Sequence, residues 1–405
     1  MPAIQNMNIQ TTDPSANIPA TVSPQILLLL SVATGVSVAS LYYSQPMLGT
    51  LGSELQANER LTGLVPTLTQ LGYALGILLL APLGDRFDRR SIILIKSMLL
   101  ALALIVSGIA PGIDALLLAS LAVGIAATVT QDLVPAAATL APASHRGRIV
   151  GMVMTGLLLG ILLSRVVSGF IAQWFGWRTV FLAAAVAVAL IGVSLWRGLP
   201  RFAPTTQASY GALMGSMLTL LRKHSALRRA MLAQGLLAVG FSAFWSMLAV
   251  MLHHQFDLGS AAAGSFGLVG AAGALAAPFA GRIADKHGAE SVTRLSAAVA
   301  AASFALMFLL PWLPQHAKLA LLLVSALGFD FGVQASLVAH QTIIYGIEPD
   351  ARSRLNALYI TGVFVGMSSG AALGGVAMSH WGWTGVVALA TAASCAALAV
   401  RMIRR

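Results

Sequence analysis

The chain has 405 residues, of which 58% are hydrophobic and 9% charged, and its mean hydropathy is +0.84. Soluble domains carry about 25% charged residues, so the composition speaks against a soluble enzyme and a nucleic-acid-binding domain, and the single cysteine, Cys395, against a disulfide scaffold. The net charge of +11 reads as an orientation signal in a membrane protein, and no cysteine or histidine cluster offers a metal or iron-sulfur site.

Residues 1–24 are polar, contain no Lys or Arg, and read as a disordered cytoplasmic tail rather than a cleaved signal. A helix needs about 20 apolar residues to cross the hydrocarbon core. Twelve such runs are expected, at 25–48, 61–83, 91–110, 113–138, 149–172, 177–197, 228–253, 261–281, 291–311, 317–344, 354–378 and 382–402. Residues 198–227 are the one long internal break. They open on Pro200 and Pro204 and continue as a basic stretch with helically spaced apolar residues, as expected of a helix lying along the membrane surface. The expected organisation is therefore a tail at 1–24, a six-helix bundle at 25–197, a cytoplasmic linker with an amphipathic helix at 198–227, and a second six-helix bundle at 228–405.

With both termini in the cytoplasm, nearly all of the 24 Lys and Arg residues fall on the cytoplasmic side, Lys96 counted among them. Arg60, Arg178 and Lys318 lie opposite, and Arg165 is left inside a span. A miscount by one span would destroy this asymmetry.

The halves repeat. At an offset of 206, Arg146 meets Arg352, Arg148 meets Arg354, Thr155 meets Thr361, Gly156 meets Gly362, Gly160 meets Gly366, Gly169 meets Gly375, and Gly176-Trp177 meets Gly382-Trp383. APLGDRFDRR at 81–90 and GRIADKHGAE at 281–290 each place an Asp and a basic residue after the second span of a half. Two homologous six-span halves describe a pseudo-symmetric transporter with its site at their interface near the midplane.

On these residues the chain resembles the major facilitator superfamily over 25–405. The family's pattern after span two is Gly-x-Leu-Ala-Asp-Arg-x-Gly-Arg-Lys. Leu83, Asp85, Arg86, Arg89 and Arg90 match it, with Ala81 and Asp88 in place of the glycines; Gly281, Ala284, Asp285 and Gly288 match its second copy. The Gly-Trp-Arg at 176–178 and the glycine-rich fifth span resemble the drug:proton antiporter and sugar efflux branch. Ser120 stands where that branch has an arginine in span four, and Arg165 where it has a proline in span five. The resemblance implies an all-α integral membrane protein of the bacterial inner membrane, with twelve transmembrane helices in two pseudo-symmetric bundles. It also implies a cytoplasmic gate in which Asp85, beside Arg86, Arg89 and Arg90, meets the start of span eleven at Arg352 and Arg354. By symmetry Asp285 would face Arg146 or Arg148.

Ionisable residues inside a span cost a few kcal/mol and are functional candidates by default. They are Asp132 in span four, Arg165 in span five, and Asp330 and His340 in span ten, and they are the candidates for proton coupling. For Asp132 a structural hydrogen bond near Pro135 is an equal alternative, and for His340 an interhelical hydrogen bond is the commoner one. Candidates for the substrate cavity are Tyr42, Tyr43, Gln45, Gln70 and Tyr73, followed by Gln131, Gln234, Trp245, Gln334 and Gln341. The few intramembrane charges favour a neutral, amphipathic or weakly cationic solute over a strongly anionic one.

The expected function is secondary active transport of a small organic solute by alternating access, with efflux driven by protons. The alternatives are a uniporter and a proton-linked importer of a sugar, nucleoside or other metabolite. A membrane enzyme would have to be built on His253, His254 and Asp257. No phosphate loop for an ATP-driven pump is present. The expected partners are a small-molecule substrate, protons and the lipid bilayer, with no cofactor, no nucleic acid and a monomeric state.

Overall fold

The computed structural model describes residues 23–142, 145–204, 206–270, 282–283, 286–348 and 351–403, with no strand among them. Asp285 and most of the second half of span eight lie outside the described residues. In hydrocarbon every backbone polar group must be paired internally, so each apolar run closes into a helix. The first half holds α1 (Pro24–Ala39), which continues through a 3-10 turn at Gln45–Met47 into α2 (Leu48–Glu54), then α3 (Glu59–Leu80) and the short α4 (Leu83–Arg86). It goes on with α5 (Arg89–Gly108), the paired α6 (Ile113–Ala127) and α7 (Thr130–Leu140), α8 (Arg146–Phe175) and α9 (Trp177–Gly198). The linker carries α10 (Tyr210–Lys223). The second half holds α11 (Ser225–Phe256), α12 (Ser260–Ser265) with a 3-10 turn at Phe266–Gly270, α13 (Ala289–Leu306), α14 (Gln315–Tyr345) and α15 (Arg352–Met402). Nine of the described helices are long and apolar enough to cross a membrane. One of them, α15, holds two expected spans; the shorter α1 stands at the first expected span, and α12 with its 3-10 turn at the start of the eighth, whose residues 271–281 lie outside the described ones.

Polar residues mark where helices begin. Asn58 accepts from the Leu61 N–H at 3.0 Å to start α3, and Asp88 accepts from the Arg90 N–H at 3.1 Å to start α5. The repeat in the sequence is a repeat in the backbone. Gly176 between α8 and α9 has φ +81°, and Gly382, 206 residues later, breaks α15 with φ +60°. A side chain at either position would be strained.

Within each half the same two helices cross at glycines. A Cβ on Gly160 of α8 would collide with the Gly35 carbonyl of α1, and a Cβ on Gly366 of α15 would collide with the Gly235 carbonyl of α11. Small residues let the backbones touch where lipid supplies no hydrophobic drive between helices.

The linker is fastened to both halves. The Phe202 N–H donates to Asp88 Oδ1 at 2.9 Å and Tyr210 donates to the Leu79 carbonyl at 2.9 Å, which tie its start to the first half. At its end His224 Nε2 lies 3.0 Å and Lys223 Nζ 3.4 Å from Glu348 of the second half. The His224 hydrogen bond, with the nearby Lys223 charge, holds the Glu348 carboxyl below its ordinary range.

Contacts between the halves gather at the end of the bundle away from α10. There Thr50 hydrogen-bonds Ser260 at 3.0 Å, Ser368 donates to the Thr67 carbonyl at 3.0 Å, and His254 Nδ1 lies 3.9 Å from Glu59 Oε1. A Cβ on Gly63 of α3 would lie 3.2 Å from the Gly375 Cα of α15. Trp174, Trp312 and Trp381 stand exposed at that same end, as in the aromatic belt of a membrane interface.

Overpacking a helix crossing costs about 1–3 kcal/mol, and more where backbone meets backbone. Gly160→Leu and Gly366→Leu are each expected to lower the unfolding midpoint of the purified protein sharply. Gly215→Ala, with open space around it on α10, leaves the midpoint unchanged or raises it. Equal melting of all three proteins would show that the crossings do not hold each half together.

Candidate functional site

The helix of span one stops at Ala39, and the turn that follows carries Tyr42 and Gln45 toward α8. Proline 46 in the 3-10 turn fits this break, since it has no N–H to give a helix. Arg165, on the face of α8 turned to these residues, donates from Nε to Gln45 Oε1 at 2.8 Å. Its guanidinium carbon lies 4.8 Å from the Tyr42 ring and 4.5 Å from the ring of Trp245 on α11, so an aromatic ring from each half bears on the cation. Arg165, Gln45, Tyr42 and Trp245 are all at most 5% exposed. A Cβ on Gly267 would press on the Arg165 side chain at 2.8 Å, so glycine there admits the arginine.

Asp330 of α14, also buried, lies within electrostatic reach of both Arg165 and Tyr42. A Cβ on Gly270 would sit 4.0 Å from Asp330 Oδ2 and 3.9 Å from Leu162 of α8, which places the carboxylate at the seam between the halves. Next to this group Ser242 of α11 donates to Gln70 Oε1 of α3 at 3.0 Å, a second polar bridge across the seam. Arg165 Nη2, Gln45 Nε2, Gln70 Nε2, Trp245 Nε1 and Ser246 Oγ are buried without a hydrogen-bond partner among the described residues. Buried polar groups are normally paired, so a cluster of unpaired ones marks where a ligand or water belongs.

Other expected cavity residues lie elsewhere. Tyr73 accepts from Gln131 Nε2 at 2.9 Å and packs 4.5 Å from the Phe364 ring, a contact across the seam nearer the linker end. Tyr43 turns the other way, into a groove of about 950 Å³ between α1 and α8 whose walls include Leu28, Val32, Leu159 and Leu163. Leu163 lies two residues, and so about 200°, around α8 from Arg165. This groove therefore opens on the side of α8 turned away from the charge. Gln234 bonds the Val333 carbonyl at 3.2 Å and His340 Nδ1 at 3.1 Å, with Ser336 on the same ring nitrogen, while Gln341 bonds Asn356 at 3.3 Å. These join helices within the second half, as does the interhelical bond expected of His340. Gln334 is half-buried on the same helix.

Asp132 meets a partner that spacing did not suggest. Lys96, counted from sequence at the cytoplasmic side, is buried inside α5 and its Nζ lies 2.6 Å from Asp132 Oδ2. The helix break in this span falls at Thr128 and Val129, where Asp132 caps nothing. One signal was present in the sequence: Lys96 stands alone in an apolar run, seven residues from Arg89 and thus on the same face. Asp85 pairs with Arg89 at 2.9 Å inside the first half, and a Cβ on Gly84 would touch Asp132 Oδ1 at 2.5 Å, so the two ion pairs adjoin. Arg86 and Arg90 lie over Phe87 and Trp196, at 5.7 and 5.1 Å. Arg352 donates to the Tyr345 carbonyl at 3.1 Å, while Arg146, Arg148 and Arg354 lie in the first turns of α8 and α15 at the linker end. Of the expected enzyme cluster, His253 packs on Gly49 and Asp257 ends α11 with φ +54°.

The Major Facilitator Superfamily model matches residues 30–344. The uncharacterized transporter YgaY of Escherichia coli O157:H7 is 40% identical over 368 residues, 90% of this chain and 91% of that one. A bacterial homolog of the human lysosomal transporter Spinster, solved inward-facing and unoccupied, superposes with a TM-score of 0.71 at 15% identity, over 94% of this chain and 95% of its own. The nucleoside transporter NupG does so with a TM-score of 0.75 at 14% identity, over 93% and 99%.

Breaking a buried ion pair by removing one partner costs about 3–5 kcal/mol, whereas replacing both with apolar groups is often neutral. Lys96→Met or Asp132→Leu alone is expected to destabilise the protein strongly, and the double variant to recover most of the loss in a thermal melt. A double variant no more stable than the worse single one would show that Asp132 does more than pair with Lys96.

Proposed function

Because the chain belongs to the major facilitator superfamily and is a membrane transporter, we propose that it moves a small organic solute by alternating access through the Arg165 site, coupled to protons at Asp330. The observation that carries this reading is the placement of opposite charges on opposite halves at the seam: Arg165 on α8 packs against Gly267, and Asp330 on α14 lies 4.0 Å from a Cβ built at Gly270. A rocking motion of the halves separates them, and a carboxylate that loses its counter-charge in a desolvated site takes up a proton. Asp132 is not the coupling group, because its counter-charge Lys96 moves with it in the same half.

The linker face is taken as cytoplasmic from the distribution of basic residues, and the contacts at Thr50, Ser260, Glu59 and His254 then lie on the outer side. Asp85 with Arg86, Arg89 and Arg90, and Asp285 with Arg146 and Arg148, are proposed to close the cytoplasmic side when the starts of α8 and α15 approach. The protein works in the inner membrane as a monomer. Efflux in exchange for protons follows from the Gly-Trp-Arg resemblance. Proton-linked co-transport is the second reading, favoured by the unpartnered Nη2 of Arg165 beside the seam that holds Asp330: a proton on Asp330 and a solute on Arg165 would bind together.

In proteoliposomes with a pH-sensitive dye inside, a screened solute is expected to drive proton movement in the wild type. Asp330→Asn should abolish that movement while solute exchange between equal concentrations persists. The sign of the pH change separates exchange from co-transport, and unchanged gradient dependence in Asp330→Asn rejects the coupling site.

Asp85→Asn should lower turnover several-fold at normal expression, since a lost gate contact shifts the equilibrium between the two facing states. Wild-type turnover in that variant would dispose of the gate.

A further inference from the structure

We propose that the solute is an organic anion, a carboxylate on an aromatic or apolar body, whose carboxylate seats on the open edge of Arg165. This inference rests on the Arg165 site being the transport site, and it departs from the neutral or weakly cationic solute that composition favours.

Three features of the site point to it. The first is hydrogen-bond polarity. Arg165 Nη2, Gln45 Nε2 and Trp245 Nε1 are N–H donors, buried and without a partner among the described residues. Gln45 Oε1 is already used by Arg165 Nε, which fixes its amide nitrogen as the free end. A site with donors in excess is completed by an acceptor, and a carboxylate with two oxygens fits a guanidinium fork.

The second is shape. The guanidinium is held by Gln45 at Nε and covered by Tyr42 and Trp245, at 4.8 and 4.5 Å. Its Nη2 edge is what remains. Beyond Trp245 the second half offers aromatic rings, with Phe241 6.3 Å, Phe244 5.4 Å and Phe329 6.4 Å from it between centroids, which suit the body of an aryl or alkyl acid.

The third is charge balance. Arg165 and Asp330 sit on different halves, so each loses the other when the halves part. A buried charge without compensation is costly. An anion compensates Arg165 and a proton neutralises Asp330, so the loaded carrier has the same net charge as the empty one. A cation would instead have to bind beside Arg165. Arg165 from α8 and Tyr42 from α1 are among the groups in the field of Asp330. Its helix neighbours α11 and α13 carry their ionisable residues near their ends, and Tyr359 of α15 lies beside His340, about three turns along α14. Residues 271–281 contain no ionisable side chain.

The test uses the purified full-length protein in detergent, with phenylacetate and 1-naphthoate as anionic probes, phenylacetamide as the neutral isostere and phenethylamine as the cation. Binding is read as a rise in the unfolding midpoint and as quenching of tryptophan fluorescence. The carboxylates are expected to bind about tenfold or more tighter than the amide, as for a hydrogen bond to a charged group. Trp245→Phe, which removes one of the three donors, is expected to shrink the midpoint shift and to lose most of the quenching. Arg165→Gln is expected to remove the preference for carboxylate over amide; should that variant not fold, Arg165→Lys, which keeps the charge without the fork, is expected to shrink it. Amide or amine binding as tight as carboxylate, no carboxylate binding at all, or a carboxylate preference that survives both Arg165 substitutions overturns the proposal. Carboxylate binding that depends on Arg165, combined with unchanged proton dependence in Asp330→Asn, would leave the anion site standing and remove the proton coupling alone.

Discussion

A charge buried among apolar helices must be compensated, and this constraint orders the molecule. The chain has few charged residues to spend inside the bilayer, and it disposes of them in two ways. Lys96 and Asp132 pair at 2.6 Å between adjacent helices of one half, beside the Asp85–Arg89 pair. Arg165 and Asp330 come from different halves, and Asp330 Oδ2 and Leu162 of α8 lie 4.0 and 3.9 Å from a Cβ built at Gly270. The first arrangement is carried as a unit whenever the half moves, and so it stiffens. In the proposed alternating access, the second changes as one half moves against the other, and there motion is tied to binding.

What moves is defined by the glycines. The crossings of α1 with α8 and of α11 with α15 are built on the same pattern, with Gly35 against Gly160 and Gly235 against Gly366, and the backbones come so close that no side chain can enter. Each half is thereby welded along its own length. Between the halves the contacts are fewer and gather at one end, where small residues such as Gly63 and Gly375 allow approach and Thr50, Ser260, Thr67 and Ser368 supply hydrogen bonds. The linker, bound at one end through Asp88 and at the other through Glu348, is the remaining tie. Two stiff bodies that meet at one end and are strapped at the other are suited to rocking around a point between them. Arg165 lies near that point.

The buried donors around Arg165 follow from its position. Inside a half, amides find partners, as Gln131 does in Tyr73 and Gln234 in His340. At the seam, partners must come from the other half or from a ligand. Gln45, Arg165 and Trp245 keep polar atoms unpaired there. Polar atoms at such a place give a site its chemistry without locking the halves together.

The sequence by itself determined the class, the number of spans and the division into halves, because hydrophobic length and charge asymmetry are local properties that a bilayer reads one segment at a time. It also determined the repeat, down to the paired Gly176 and Gly382 whose backbone only glycine adopts freely. It named Asp132, Arg165, Asp330 and His340 inside the spans, since a charge in an apolar run stands out, but counted the buried Lys96 to the cytoplasmic side. Which of them work together was decided by the tertiary structure alone. Lys96 turned out to be a partner of Asp132, Tyr43 turned outward while Tyr42 turned inward, and Arg165 and Asp330, 165 residues apart in the chain, came to lie beside the same 3-10 turn, at Gly267 and Gly270. The reason is geometric: a side chain's partners depend on helix rotation and on which helices are neighbours, and neither is written in the composition of any single span.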